Sequence, residues 1–336
     1  MAISNDLLST TLYSIRDREV DELFKRNVFL SHAKRSKGVE YENGGIKIQR
    51  PLSIYEHSTI SQFPTGYEAL SLAVSDTLRP AIYEWCDFAA PIVITRKEEM
   101  ENSGEKAIVK ILDARTRNVI GMLQREFNKQ ILSGNSSVLT QLNTLNGVAS
   151  TTGFLENAAP GAGQTNTVGG LQKSALDVRG WYNQRETAGG AFGTNGLNAM
   201  FNLWTKANSI SPEGSLDCII ASEAGFVNYK RELQTQERYM DPTKLDGGRM
   251  VLLFNGTPIE QDLDMPVNVL NTSDFTMYFL NFSGIKLVFH DDGEFKPAEF
   301  SGIPGTTART SHIYTKVQLI ADHLGSQGVL VAGNTY

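Results

Sequence analysis

The sequence has little of what secreted, membrane-spanning or metal-binding proteins need. It contains two cysteines, Cys86 and Cys218, and both lie in apolar runs. Because their spacing fits neither a zinc site nor a disulfide framework, we predict two buried free thiols. No run approaches the roughly 20 apolar residues of a membrane span, and the N-terminus lacks the apolar core of a signal peptide. We therefore expect a chain made and kept in a cytoplasm, with no membrane partner.

Positive charge is also scarce. The chain has 31 Lys and Arg residues against 37 Asp and Glu residues, a formal net charge of -6, and it has no basic tail or Lys/Arg run. Tight, sequence-independent binding to DNA needs many cations on one face to neutralise phosphates. The composition therefore argues against a protein that grips nucleic acid.

Catalytic motifs are missing. The sequence has no G-x-S-x-G elbow, no phosphate-binding G-x-x-x-x-G-K-S/T loop, no H-E-x-x-H and no C-x-x-C. No two of its five histidines lie at a metal-ligand spacing on one element, and His290 with Asp291 and Asp292 is interpreted as a polar turn after a strand. We expect no catalytic residues, metal or cofactor. A hydrolase whose Ser, His and Asp meet across the fold remains an alternative.

What is present predicts a folded α+β chain. Hydrophobic residues make up 40% and charged residues 20%, as in soluble globular proteins. An N-terminal arm with a helix around 17–26 comes first. Residues 38–80 then alternate apolar and polar positions about a Pro-Gly turn, which predicts a long two-stranded hairpin. Such a hairpin is marginal alone, so it packs either on its own domain or on a neighbouring subunit.

The clearest element follows an apolar extended segment over 81–95. Thr95 has the character of an N-cap, and acidic residues follow it where the helix dipole favours anions. Apolar residues then repeat at steps of three and four up to Ser133, which predicts one long amphipathic helix over 96–133. Gly104 interrupts its first turns.

The second half mixes strands, helices and loops. Two Gly-rich stretches, 147–170 and 185–196, are interpreted as mobile surface loops. The aromatic–polar cluster that begins at Trp181 lies between them, and clusters of this kind are typical of sites where aromatic side chains contact polar partners. The remaining elements are predicted in this order: a helix at 197–210, a strand at 216–222, a helix at 223–236, a strand from Met250 into a turn, a hairpin at 274–291 around Phe282–Gly284, and two apolar strands between 312 and 333.

Several stretches, taken in order, resemble the major capsid proteins of tailed bacteriophages, which share the Hong Kong 97-like fold. The resemblance covers most of residues 35–335. The stretches that carry it are TRKEEMENSGEKAIVKILDARTRNVIGMLQREFNKQIL, TVGGLQKSALDVRGWYNQ, LDCIIASEAGFVNYKREL, FNGTPIEQDLDMPVNVLN and IYTKVQLIAD.

The resemblance implies a division of the chain. It comprises an N-terminal arm (1–36), an extended E-loop hairpin (37–80), a peripheral domain (81–209) with its spine helix at 96–133, an axial domain (210–270), and C-terminal strands that return to both domains (271–336). The hairpin from residue 44 onward would overlap a neighbouring subunit. The polar loop Tyr229–Asp246 would meet its copies at five- and six-fold centres.

From the same resemblance we expect contacts between subunits at a set of mostly aromatic, aliphatic and Arg residues. They are Ile46, Ile48, Ile54, Tyr55, Phe63, Tyr67, Trp181, Tyr229, Arg231, Arg238 and Tyr239.

The implied function is a structural one. Pentamers and hexamers of the chain would build an icosahedral head around double-stranded DNA, without sequence-specific binding, and would be assembled in the host cytoplasm. A separate scaffolding protein, a portal and decoration proteins are the implied partners. An encapsulin-type nanocompartment shell, with an enzyme as cargo, is the alternative with the same fold.

Overall fold

The computed structural model describes most of the chain beyond the N-terminal region. The described residues are 27–53, 62, 66, 77–101, 105–148, 150–161, 163–175, 180–212, 214–235, 243–244, 250–266 and 274–333. The helix predicted around 17–26 and the apolar alternation at 68–74 lie outside them.

Five α-helices occur in the described part of the chain, and the last two confirm the predicted helices of the second half. They are α1 (Val28–Arg35), α2 (Arg96–Glu101), α3 (Glu105–Ser133), α4 (Phe192–Ile210) and α5 (Glu223–Thr235).

Seventeen strands accompany them in the same part. They are β1 (Val39–Glu42), β2 (Lys47–Ser53), β3 (Leu78–Glu84), β4 (Cys86–Thr95), β5 (Thr167–Val168), β6 (Leu171–Gln172), β7 (Gln184–Ala191), β8 (Cys218–Ala221), β9 (Thr243–Lys244), β10 (Met250–Phe254), β11 (Thr257–Gln261), β12 (Asp274–Leu280), β13 (Ile285–His290), β14 (Lys296–Pro297), β15 (Ser301–Gly302), β16 (Ala308–Ala321) and β17 (Gly328–Gly333).

The predicted long helix has two described parts, α2 and α3, and Gly104, where an interruption was predicted, lies outside the described residues. Thr95 and Glu98 form a capping box at the start of α2: the Thr95 N–H and hydroxyl both donate to the Glu98 carboxylate, at 3.0 and 2.9 Å. Arg115 of α3 donates to that carboxylate and to the Val93 carbonyl, and so ties the two helices to β4. Helix α3 has 29 residues and is about 43 Å long.

A six-stranded sheet forms around the longest strand, β16. Strand β4 pairs along one edge of β16, while β13, β14 and β15 pair in succession along the other. Strand β1 adds to β13 in parallel. Helix α3 buries Leu112, Ile120, Phe127 and other side chains of its inner face in the core beside this sheet.

A seven-stranded sheet, in the order β7-β17-β12-β8-β11-β10-β9, separates two hydrophobic cores. Alternate residues of β8 enter different cores: Cys218 and Ile220 pack in the core that contains α3, whereas Ile219 and Ala221 pack in the core under α4. Strands buried on both faces are nearly continuous apolar runs. This double burial explains why the segment around Cys218 is so uniformly apolar. Cys218 and Cys86 of β4 are both buried and free, which confirms the prediction of two buried free thiols.

The predicted hairpin over 274–291 is wrong. Strand β12 belongs to the seven-stranded sheet and β13 to the six-stranded sheet, so the turn around Phe282–Gly284 passes the chain from one sheet to the other. A second connection of this kind joins β16 of the six-stranded sheet to β17 of the seven-stranded sheet. Sequence spacing alone does not distinguish a short turn between paired strands from a short turn between sheets.

The two Gly-rich segments are not mobile surface loops. Residues 184–191 form strand β7, which pairs in parallel with β17, and α4 follows directly from Phe192. The 147–170 segment buries Phe154 and Leu155 completely. Gly147 and Gly153 permit this packing because a Cβ on Gly153 would lie 2.2 Å from the Asn146 carbonyl oxygen.

Candidate assembly surfaces

A two-stranded ribbon, β2–β3, lies within the hairpin predicted over 37–80, whose first residues instead form β1 and pair with β13 in the six-stranded sheet. Its strands pair antiparallel from Lys47–Glu84 to Ser53–Leu78, so the returning strand extends four residues beyond the predicted end at residue 80. One face of the ribbon, with Ile48, Ala81 and Tyr83, is buried in the subunit. The Tyr83 hydroxyl donates to the Ala321 carbonyl at 2.9 Å. The described base of the hairpin therefore packs on its own domain.

The outer face of the ribbon is exposed and partly apolar. Leu78 is 58% exposed and Ile82 39% exposed, beside the paired prolines Pro51 and Pro80. Neither proline has an N–H, so this cross-strand pair is a non-hydrogen-bonded one and both nitrogens face the open edges of the ribbon. A strand added at either edge would lack a donor there. The ribbon is therefore suited to contact through its face.

A charge network fixes the base of the ribbon to the six-stranded sheet. Arg50 of β2 pairs with Glu40 and, at 2.9 Å, with Glu42 of β1. Lys286 of β13 pairs with Glu40 at 2.6 Å and with Asp322 at 3.1 Å. Burial disfavours the charge of Glu40, but the hydrogen bond from Lys286 and the charge of Arg50 outweigh it and hold the pKa of Glu40 below its ordinary 4.5.

This lowered pKa predicts an acid-sensitive contribution to stability. The contribution of Glu40 is present above its unfolded-state pKa and is lost as the pH falls through its lower folded-state pKa. At pH 6.5 we expect Glu40→Gln to reduce the free energy of unfolding by about 1 kcal/mol, since the Glu40 and Lys286 side chains are 31% and 21% exposed and water weakens their attraction. Denaturant titrations should show this difference shrinking below the ordinary pKa. Asp292→Asn, which removes an exposed carboxylate, should change the free energy of unfolding little at pH 6.5 or below pH 4.5. If Glu40→Gln has the same effect at both pH values, the lowered pKa of Glu40 is contradicted.

The structure places the predicted contact residues in three groups. Ile46, just before the ribbon, is 92% exposed, and Arg231 of α5 is exposed. Ile48, Trp181 and Tyr229 are buried within the subunit, at 1%, 2% and 2% exposure. The rest lie outside the described residues: Ile54, Tyr55, Phe63, Tyr67, Arg238 and Tyr239.

Burial narrows the proposed contact set, because a side chain packed in its own core has little surface left for a neighbour. Trp181 donates to the Leu171 carbonyl, and the Tyr229 hydroxyl donates to the Leu253 carbonyl at 2.9 Å. Their polar partners thus come from their own chain. Tyr229 also lies in α5, which continues to Thr235, so the predicted loop Tyr229–Asp246 begins with a helix.

Sequence reasoning missed other exposed apolar side chains. Met122 on α3, counted in the apolar repeat, is 60% exposed, and Leu263 in the turn after β11 is 80% exposed. Single exposed apolar residues are ordinary on protein surfaces, so the residue type alone does not indicate a contact between subunits. Only their position on the folded surface makes them contact candidates.

The aromatic–polar cluster after Trp181 is part of a buried polar network. The Lys173 side chain is 0% exposed, and its ammonium group donates to the Phe154 carbonyl at 2.7 Å and to Asn183 Oδ1 at 3.1 Å, with Glu156 Oε1 at 3.3 Å. The Glu156 carboxylate also accepts the backbone N–H groups of Thr165 and Asn166, both at 2.9 Å. This network holds the Gly-rich 147–170 segment against the start of β7.

The metal-ligating residue types form no cluster of three His, Cys, Asp or Glu side chains able to hold a metal among the described residues. Burial raises the pKa of the Cys86 thiol to about 11, with a further contribution from Asp87, which keeps it protonated at neutral pH. His290 precedes the polar turn predicted for Asp291 and Asp292. In the described part, no helix has the length and apolar character needed to cross a bilayer.

Solved capsid structures share this architecture along nearly the whole chain. The cyanophage A-1(L) capsid matches with a TM-score of 0.58 at 15% identity, over 88% of this chain and 90% of that one. The capsid of an empty GTA particle matches with a TM-score of 0.54 at 11% identity, over 90% and 96%. The capsid of Myoviridae phage XM1 matches with a TM-score of 0.53 at 10% identity, over 89% and 91%.

No protein-family model matches the chain, and no curated protein matches its sequence. At these identities the similarity is one of fold. The chain has the α+β fold of tailed-phage capsid proteins, which confirms the predicted fold class.

Proposed function

We propose that this chain is the major capsid protein of a tailed phage, a structural subunit that assembles into an icosahedral head. The observation that carries the proposal is the extent of the structural match. It covers 88–90% of this chain and 90–96% of three phage or GTA capsid chains, so the similarity extends over nearly all of the given sequence and of each capsid chain.

The ribbon supports a role in assembly. Its inner face is fastened to the subunit by Arg50 and Tyr83, while its outer face presents Leu78 and Ile82. Apolar side chains on a rigid, edge-protected ribbon are suited to bury surface between copies, and obligate assemblies commonly bury over about 2,000 Å². We propose Ile46, Leu78 and Ile82 as contacts, together with Arg231 and the predicted residues of the segments around 54–67 and 238–239.

We also propose the division into arm, hairpin, peripheral domain, axial domain and returning strands, which the sequence resemblance implies. The net charge of -6 suits a shell that encloses DNA without gripping it. A scaffolding protein, a portal and decoration proteins are the proposed partners, and the virion is the proposed location, with assembly in the host cytoplasm.

Shell formation is tested by expressing the full chain and examining it by sedimentation velocity and negative-stain electron microscopy. We expect closed particles built from pentamers and hexamers. A species that stays monomeric at every concentration, with and without a candidate scaffold, would contradict the proposal. Particles that contain an enzyme instead of DNA would indicate the encapsulin-type alternative.

Deleting residues 56–66 tests the hairpin itself. We expect the subunit to fold, because the β2–β3 pairs and the Arg50 network remain, but particles should be lost. A control that replaces the same residues by a Gly-Ser linker of equal length separates lost side chains from lost length. Normal particles from both variants would exclude a role of this segment between subunits.

A further inference from the structure

The turn that joins β16 to β17, residues 322–327, is held by two other parts of the chain. The N–H groups of Leu324 and Gly325 both donate to the Gly180 carbonyl, at 2.9 and 3.1 Å. The His323 N–H donates to the Gly284 carbonyl in the β12–β13 connection, at 3.1 Å. Since β16 and β17 belong to different sheets, the 322–327 turn lies where the sheets are joined.

His323 closes this turn with a ring nitrogen that carries no proton. The Ser326 N–H donates to His323 Nδ1 at 3.3 Å, and Ser326 Oγ donates to the His323 carbonyl, also at 3.3 Å. A ring nitrogen accepts an N–H only when it is unprotonated, so the imidazole in this bond is neutral and its proton is on Nε2. A proton on Nδ1 would place two N–H groups against one another and break the bond.

This bond is one of a connected set that reaches the β12–β13 connection. Gln327 Nε2 donates to Ser326 Oγ at 3.1 Å and to the Asn281 carbonyl at 2.8 Å, and the Asn281 N–H donates to Gln327 Oε1 at 2.9 Å. Ser326, Gln327 and Asn281 are all buried, so water does not replace a lost bond among them without a rearrangement. A change at His323 therefore acts on both connections between the sheets.

The His323 ring is packed against Gly180, where an added Cβ would lie 3.2 Å from both Cδ2 and Nε2 of the ring. Burial penalises the charged imidazolium and lowers the pKa of His323 below its ordinary 6.5. Tyr182 is the next titratable residue after Gly180 in the chain. Asp177 and Arg179, which precede it, lie outside the described residues.

The charged side chains near the turn are paired with other groups. The Asp322 carboxylate lies 3.1 Å from Lys286 Nζ and 3.8 Å from Arg50 Nε. Asp217, beside the β12–β13 connection, accepts the Phe282 N–H at 2.7 Å. No ion pair of the described residues includes His323, and burial is the one cause of its lowered pKa. A second proton on the ring would thus have no compensating charge among these groups.

We propose that the 322–327 turn is an acid-sensitive junction, which loosens the connection between the two sheets when His323 takes up a second proton. In the open turn the ring is in water and binds a proton with the ordinary affinity of a histidine, whereas in the closed turn it binds a proton more weakly. As the pH falls below 6.5 the open form is therefore favoured, and well above 6.5 the closed form keeps its full stability. The inference does not rest on the proposed shell.

Hydrogen exchange of the amides in the 322–327 turn, followed by mass spectrometry on the full chain, measures the opening. Each rate is divided by the intrinsic exchange rate at the same pH, because intrinsic exchange itself slows in acid. We expect the protection of the wild-type turn to fall about 3-fold or more from pH 7.5 to pH 5. No fall, or an equal fall throughout both sheets, would overturn the inference.

Two variants and a control assign the effect to the ring. His323→Asn places Oδ1 where Nδ1 stands, since both atoms are bonded to Cγ, so it accepts the Ser326 N–H without titrating, and its protection should be the same at both pH values. His323→Phe keeps a ring but has no acceptor, and its turn should be weakly protected already at pH 7.5. His290→Asn is the matched control, because His290 Nδ1 accepts the Asp292 N–H at 3.1 Å in an exposed turn. It should retain the wild-type fall, and a wild-type fall in His323→Asn would refute the junction.

Discussion

Replacing Gly284 by alanine is expected to destabilise the subunit by about 3 kcal/mol, because the new methyl group would overpack a rigid junction. A Cβ at this position would lie 2.3 Å from the His323 carbonyl oxygen and 2.7 Å from Ser326 Oγ. The nearest atom is backbone, which does not rotate away as a side chain does. Denaturant unfolding followed by circular dichroism measures the loss.

The size of the effect follows from what meets at Gly284. Here β12 leaves one sheet, and the end of β16 returns towards the other. The Gly284 carbonyl accepts the N–H groups of Asp322 and His323, at 2.9 and 3.1 Å, and Gln327 bonds both backbone groups of Asn281 nearby. Moving either strand to make room for a methyl group would break these hydrogen bonds in both connections between the sheets, from β12 to β13 and from β16 to β17.

Gly302→Ala is the matched control for this substitution. Its Cβ would meet no atom within 4 Å, and its backbone lies outside the left-handed region. We expect a change within about 0.5 kcal/mol. Equal effects of the two substitutions would show that the sheet junction tolerates a methyl group and would contradict the argument from close approach.

The same junction shows what sequence patterns could and could not predict. Helical periodicity predicted the long helix and the helix of residues 223–235, because each depends on local side-chain spacing and capping. The partners of β12 and β13 depend on contacts across both cores, which leave no local trace. Strand β7 was missed for a related reason: its glycines suggest a loop, and only pairing with β17 makes the segment a strand.

The exposure of the proposed contact residues was harder to predict than the fold. Ile48 and Ile46 belong to one alternating pattern, yet the first is 1% exposed and the second 92%. Residues two apart in a strand share a face, but β2 begins at Lys47, so Ile46 lies outside the strand and the alternation does not extend to it.

Replacing Lys173 by methionine is expected to cost about 3–5 kcal/mol, as when one partner of a buried ion pair is removed. The variant would leave Glu156 charged in the interior and would remove the donor to the Phe154 carbonyl and to Asn183. Lys206→Met is the control, because its pair with Glu186 is 52% exposed on the lysine side. There we expect less than about 1 kcal/mol.

The pairing itself is tested by combining Lys173→Met with Glu156→Gln in a double-mutant cycle. If the two charges support one another, the double variant should be more stable than the sum of the single losses predicts, by about 1–3 kcal/mol. Additive losses would show instead that Lys173 stabilises the fold through its bonds to Phe154 and Asn183 alone.

Burial also gives Lys173 a distinctive pH dependence. Burial lowers its pKa to about 8, although Glu156 opposes the shift, whereas the unfolded chain keeps the ordinary value of 10.5. Between these values the unfolded state binds more protons than the folded state, so this lysine makes the free energy of unfolding rise with pH. The gap between the wild type and Lys173→Met should therefore widen from pH 7.5 to pH 10. A constant gap would mean that the ammonium group is solvated, and that the Gly-rich 147–170 segment is not held by a buried charge.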